Sequence, residues 1–134
     1  MDFLVYISTK KGTLESAPKI TPLYLTKGLL AGGFIYFPSG PAGTLHFLAR
    51  MGTHQIVPFN TGENYRLDDC VVPFHLAIDL GQPPFEIECI TWNDSTQYAH
   101  ALTVCFFLQP TGKYKRNLDK LKDIFKGTRG YSKP

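Results

Sequence analysis

The chain has 134 residues, of which 43% are hydrophobic, 13% aromatic and 19% charged. This length fits one domain, which buries about two thirds of its unfolded surface and so needs no disulfide or structural metal to form a core. Three cysteines, an odd number, argue against the fully paired framework of a small secreted protein. No long apolar window and no basic start are present, so we expect neither a signal peptide nor a membrane span.

Runs of aliphatic and aromatic residues predict short strands throughout the first 109 residues. They cover 3–7, 20–26, 29–37, 44–50, 55–59, 70–80, 85–92 and 98–109. In the last strand Leu102, Val104, Phe106 and Leu108 share one face. The pair Gly32-Gly33 indicates a β-bulge or a close approach of two backbones. Seven to eight strands separated by Pro- and Gly-containing turns predict an all-β fold, a jelly-roll-like antiparallel β-sandwich.

The charge is divided unevenly and marks a separate tail. Residues 113–133 hold eight of the fourteen basic residues and two acidic ones, whereas the rest of the chain holds six basic and nine acidic. We therefore expect a sandwich domain over 1–111 and a basic tail over 112–134. A short amphipathic helix is predicted there, because apolar residues recur at helical spacing. This tail stripe is Leu118, Leu121, Ile124 and Phe125.

The tail stripe favours a protein groove as the partner of the tail. Its lysines and arginines also suit nucleic acid, but the body contributes no basic stripe, so nucleic acid is the weaker alternative.

The residues that usually perform catalysis do not form a recognisable constellation. His46, His54, His75 and His100 include no His-x-His pair, and no Gly-x-Ser-x-Gly or phosphate-binding loop occurs. Cys89 and Cys105 lie in apolar runs and are expected to be buried, unreactive thiols. The acidic pairs at 68–69 and 93–94, which include one Asn, are expected to bond turn backbone rather than calcium. We predict no catalytic, cofactor-binding or metal-binding residues, and hence no enzyme.

Aromatic side chains offer an alternative function. Tyr65, Trp92 and Tyr98 can form a contact surface or a stacking platform for sugars. A carbohydrate-binding β-sandwich module is therefore the second hypothesis, after a structural protein that acts through subunit contacts.

Several segments together carry a resemblance to a known class of proteins. They are Phe-Pro-Ser-Gly at 37–40, Gln-Ile-Val-Pro-Phe-Asn at 55–60, Pro-Pro-Phe at 83–85, Trp-Asn-Asp at 92–94 and His100. This layout, over roughly residues 20–110, resembles small jelly-roll proteins of bacterial and archaeal virus particles, which decorate or cement a capsid or build a surface projection. The resemblance implies a homo-oligomer, often a trimer, that binds a capsid through a terminal arm. It also implies a virion protein assembled in the host cytoplasm, with no membrane partner.

Overall fold

The computed structural model describes residues 1–110, which form eight strands and, within that range, no helix. The strands are β1 (Asp2–Thr9), β2 (Lys19–Tyr24), β3 (Gly28–Phe37), β4 (Leu45–Met51), β5 (His54–Val57), β6 (Cys70–Leu80), β7 (Glu86–Asn93) and β8 (His100–Gln109). The prediction of an all-β chain is confirmed. The predicted tail helix, with Leu118, Leu121, Ile124 and Phe125, lies outside the described residues.

The strands form two four-stranded antiparallel sheets. The first sheet has the order β1-β8-β3-β6 and the second the order β2-β7-β4-β5. In chain order the first strand pairs with the last and so on inward, as β1 with β8, β2 with β7, β3 with β6 and β4 with β5. Two further pairs, β3 with β8 and β4 with β7, complete the sheets.

One hydrophobic core lies between the sheets. β8 contributes Leu102, Val104, Phe106 and Leu108, which are at most 1% exposed, as their period-two spacing predicts. The second sheet contributes a matching set to the same cluster, which includes Leu45, Phe47, Ala49, Ile87 and Cys89. Each fully buried aliphatic or aromatic side chain contributes about 1.5–3 kcal/mol, so this shared core holds the two sheets together as a β-sandwich.

Buried polar groups connect the two sheets at one end of the core. The hydroxyl groups of Thr9, in β1, and Thr91, in β7, lie 2.8 Å apart and are fully buried. Asn93 is also fully buried, and its side-chain amide donates to the carbonyl groups of Thr9 and Tyr98. Because an unpaired buried polar group is costly, these contacts fix how the sheets meet.

The glycine pair in β3 has both predicted roles. The register shifts between Leu30 and Gly32 against both β6 and β8, which is a β-bulge. At Gly33, an added Cβ would lie 1.8 Å from the carbonyl oxygen of Cys105. Only glycine therefore permits this close approach of β3 and β8.

The seventh strand follows its sequence pattern only over its first half. The alternation of Glu86 and Glu88 with apolar residues predicts a strand with one face in water. This holds for the glutamates, but Ile90 and Trp92 on the same face are only 5% and 4% exposed. His46 stacks on the ring of Trp92, and both Ile90 and Trp92 line a groove, which a strand-by-strand pattern does not reveal.

Of the loop residues expected to bond turn backbone, Asp68 and Asn93 do so, whereas the carboxylate of Asp94 contacts the ring of His46. One carboxylate oxygen of Asp68 accepts from the backbone N–H groups of Gly40 and Ala42, at 2.9 and 2.8 Å. The side-chain oxygen of Asn93 accepts from the backbone of Ser95. No helix within residues 1–110 has the length and hydropathy to cross a membrane.

Candidate interaction surface

Outward-facing side chains of the first sheet form continuous rows, because the strand registers run across all four strands. Read from β1 through β8 and β3 to β6, the three rows are Tyr6, Thr103, Tyr36 and Val71; Leu4, Cys105, Phe34 and Pro73; and Asp2, Phe107, Gly32 and His75. The first two rows together with Phe107 are called the apolar face here. Charged side chains are confined to the corners of the third row.

The apolar face is exposed to solvent. Tyr6, Tyr36 and Phe107 are 71%, 42% and 39% exposed, and Leu4 and Val71 are 65% and 58% exposed. An aromatic side chain has about 150–250 Å² of surface, so at these exposed fractions the three aromatic residues alone expose about 230–380 Å². The largest apolar patch of a typical monomer measures about 300–600 Å². Adding the aliphatic residues brings this face to the upper part of that range, where such patches mark interaction sites.

An aromatic pair occupies the centre of the apolar face. The rings of Phe34 and Phe107 lie 6.0 Å apart at an angle of 60°. Cys105, between Leu4 and Phe34 in its row, is only 4% exposed. Its burial, followed by the negative charge of Asp2, raises the pKa of its thiol. The centre of the face is therefore packed and uncharged, which suits contact with another apolar surface.

The outer face of the second sheet differs in charge. Glu86, Glu88 and Arg50 project from it, and a guanidinium nitrogen of Arg50 lies 3.4 Å from a carboxylate oxygen of Glu88. Tyr24 is 69% exposed on the edge strand, beside Glu86 in the register. The continuous uncharged surface is thus a property of the first sheet.

A shallow groove of about 290 Å³ lies on the second sheet. Its floor is Leu48, Ile90 and Trp92, and loops and the β4–β5 hairpin form its walls. Pockets for small ligands usually measure about 300–1,000 Å³. This groove is therefore at the lower limit of that range.

A histidine network lies next to the groove. The Nδ1 of His46 is 2.7 Å from the side-chain oxygen of Asn64, and its Nε2 is 2.6 Å from a carboxylate oxygen of Asp94. The imidazole ring also stacks on Trp92, with centroids 4.8 Å apart and planes 9° apart. Both ring nitrogens are occupied and the residue is 6% exposed. His46 thus serves packing and leaves no nitrogen free for a substrate or a metal.

The three predicted contact residues lie in different parts of the structure. Trp92 is 4% exposed in β7, with His46 stacked on one face of its indole ring. Tyr65 is partly buried against the core and forms an isolated bridge with Phe47. Tyr98 is 66% exposed in the β7–β8 connection. A shared contact surface of Tyr65, Trp92 and Tyr98 stays a prediction.

The cysteines are free thiols, and the two predicted to be buried are buried. Burial raises the pKa of the Cys89 thiol to about 12. A thiol must be deprotonated to act as a nucleophile, so Cys89 and Cys105 are poorly suited to that role. Within residues 1–110, no three His, Cys, Asp or Glu side chains are grouped closely enough to hold a metal ion.

Comparison of the chain with protein-family models, with curated proteins and with solved structures finds no match. The resemblance to virion proteins therefore stays a prediction. The sequence does contain a signal for the apolar face: Ala101, Thr103, Cys105 and Phe107 on the second side of β8 indicate a strand covered on both sides, and the same signal in β1 was missed. In β1 and β8, apolar residues occupy both alternating sets of positions, so each strand has an apolar side left over after the core is formed.

Proposed function

We propose that this chain is a non-enzymatic structural protein that acts through subunit–subunit contacts in a larger protein assembly. The exposed apolar face of the first sheet carries this proposal. A patch of this size costs free energy in water, and contact with another protein surface removes that cost. Three groups that catalysis could use are poorly placed for it, because both ring nitrogens of His46 are engaged and burial raises the pKa of the Cys89 and Cys105 thiols.

A jelly roll is the fold we infer within the β-sandwich class. Pairing of β1 with β8, β2 with β7, β3 with β6 and β4 with β5 corresponds to one long antiparallel hairpin rolled into two sheets. The β4–β5 connection is the tip of that hairpin. Eight strands arranged as two Greek keys have this order, which is common in capsid and lectin domains.

A virus particle is the assembly that the resemblance favours. In this proposal the domain decorates or cements a capsid, and a basic tail over 112–134 makes a second contact through its predicted apolar stripe. A tethered arm adds avidity because it raises the local concentration of the second binding partner.

The carbohydrate-binding alternative has less support from the described residues. Sugar-binding aromatic residues present an open ring face, whereas Trp92 is 4% exposed and one face of its ring is covered by His46.

Assembly in solution tests the proposal. Sedimentation velocity of the full chain from about 1 to 100 µM spans the range in which interfaces of standard size associate. We expect concentration-dependent oligomers, and weaker assembly when the chain is truncated after Thr111. A chain that stays monomeric throughout, and whose truncation changes no partner interaction, would refute the proposal.

A further inference from the structure

Large and small side chains alternate across the middle of the apolar face. In each of the three rows, one of the two central strands carries a large aromatic residue and the other a small residue. These central pairs, given as β8 then β3, are Thr103 and Tyr36, Cys105 and Phe34, and Phe107 and Gly32. The face therefore has a large side chain next to a small one in every row.

Such a surface is complementary to itself under one particular symmetry. A two-fold axis that runs parallel to the strands, between β8 and β3, lays β8 of one copy over β3 of the other. Each row of one copy then faces the same row of the other copy, with the order of the strands reversed. Phe107 faces Gly32, Phe34 faces Cys105, and Tyr36 faces Thr103, so each large side chain enters the space above a small one.

The outer strands of the sheet follow the same rule. β1 of one copy lies over β6 of the other, which places Tyr6 over Val71 and Leu4 over Pro73. Asp2, the only carboxylate of the three rows, and His75, their only imidazole, stand at opposite ends of one row. The axis brings Asp2 of each copy to His75 of the other, where a ring N–H donates to the carboxylate.

We propose that the apolar face is an isologous interface, through which two copies of this chain stack their first sheets face to face about this axis. The inference rests on the proposed function and names its contact. A face that binds its own copy forms two-fold contacts, so this surface joins two chains and not three.

The area is that of the apolar centre of an interface between two chains. Four strands about 4.8 Å apart and three rows about 7 Å apart span roughly 20 Å by 20 Å. The apolar face thus supplies roughly half of the approximately 800 Å² per partner that a stable interface buries. A polar rim, which includes Asp2, Ser8, His75 and Asp79, surrounds it, as in interfaces generally. A single helix, about 10–12 Å wide with its side chains, covers only about half of this width, so a second copy fits better than the tail.

Substitution on a central strand of the face is the first experiment. Tyr36→Lys places a charge over a partner surface and should weaken self-association of the full chain by more than about 30-fold, the effect of losing an interface hot spot. The matched control is Tyr24→Lys, which makes the same change at an exposed site on the other sheet. It should leave association unchanged. Circular dichroism confirms that both variants remain folded.

Charge exchange is the second experiment and tests the axis itself. Asp2→Lys and His75→Glu should each weaken association by about tenfold at low salt, because the interface contains the pair twice. The double variant should recover most of the loss. Within one copy these residues lie on opposite edges of the sheet, about 14 Å apart. The exchanged charges can therefore pair only across the interface between two copies.

Each outcome separates the two proposals. A wild-type chain without self-association overturns the interface, and it overturns the proposed function as well if truncation after Thr111 changes no partner interaction. Oligomers that resist Tyr36→Lys refute the apolar face as the interface and leave the proposed function intact, with edge strands or the tail as the contact. Oligomers that Tyr36→Lys disrupts, but that charge exchange fails to restore, refute the two-fold axis.

Discussion

Replacing Gly33 with alanine tests the contact between β3 and β8 on which the apolar face depends. The new Cβ would lie 1.8 Å from the carbonyl oxygen of Cys105 and 3.0 Å from the ring of Phe74. Carbon and carbonyl oxygen atoms normally approach to about 3.3–3.6 Å. The strands must therefore separate by about 1.5 Å at this position.

The cost of this separation has two parts. Two backbone hydrogen bonds between the strands contribute about 1 kcal/mol each, and overpacking adds about 1–3 kcal/mol. Together they give a loss of about 3–5 kcal/mol from a domain that typically has about 5–15 kcal/mol of stability. Urea unfolding, followed by circular dichroism, measures this free energy.

Gly81→Ala is the matched control. Its added Cβ meets only a side-chain oxygen of Asp79 at 3.7 Å, an ordinary contact. We expect a change between zero and a stabilisation of about 1 kcal/mol, because alanine restricts the unfolded chain. If Gly33→Ala costs within about 1 kcal/mol of Gly81→Ala, the close approach of β3 and β8 is wrong, because overpacking and lost hydrogen bonds should cost more than that.

Three further predictions concern buried groups. Thr9→Val alone should cost about 1–3 kcal/mol because it leaves the hydroxyl of Thr91 unpaired, whereas Thr9→Val combined with Thr91→Val should be nearly neutral. If urea unfolding gives the same loss of stability for the single and the double variant, the contact between the two hydroxyl groups is contradicted. His46→Ala should destabilise by about 2–4 kcal/mol through lost hydrogen bonds and stacking on Trp92, and thermal unfolding that is unchanged would refute it. Burial raises the pKa of Cys89 from 9.0 to about 12, so the folded state keeps a proton that the unfolded chain releases. The stabilisation that comes from this retained proton is complete below pH 9 and falls by about 1.4 kcal/mol per pH unit above it. The free energy of unfolding of the wild-type chain should therefore approach that of Cys89→Ala as the pH rises. A constant difference between the two chains from pH 8 to 11 would exclude this linkage.

Much of the fold could be predicted from local pattern. Alternation in β8 identified Leu102 and Phe106 as inward residues, and the glycines of β3 identified both the bulge and the close backbone approach. These signals are local because side chains in a strand point to alternate faces. The tail prediction has the same local basis and awaits its own test.

The candidate site could not be predicted in the same way, because it depends on which strands become neighbours. Phe34 and Phe107 meet only because β3 pairs with β8. The partners of His46 come from two separate segments, through Asn64 and Asp94. Period-two alternation shows which residues a strand buries in the core. It does not show that the opposite residues of four strands join into one apolar surface.

Covalent labelling of tyrosines tests the central claim most directly, because it needs no substitution. Tyr6 and Tyr36 lie on the apolar face, whereas Tyr24 and Tyr98, which are 69% and 66% exposed, lie away from it. Labelling at concentrations where the chain assembles, compared with dilute monomer, should protect Tyr6 and Tyr36 and leave Tyr24 and Tyr98 unchanged. Equal labelling of Tyr6 and Tyr36 in assembled and dilute chains would contradict the account.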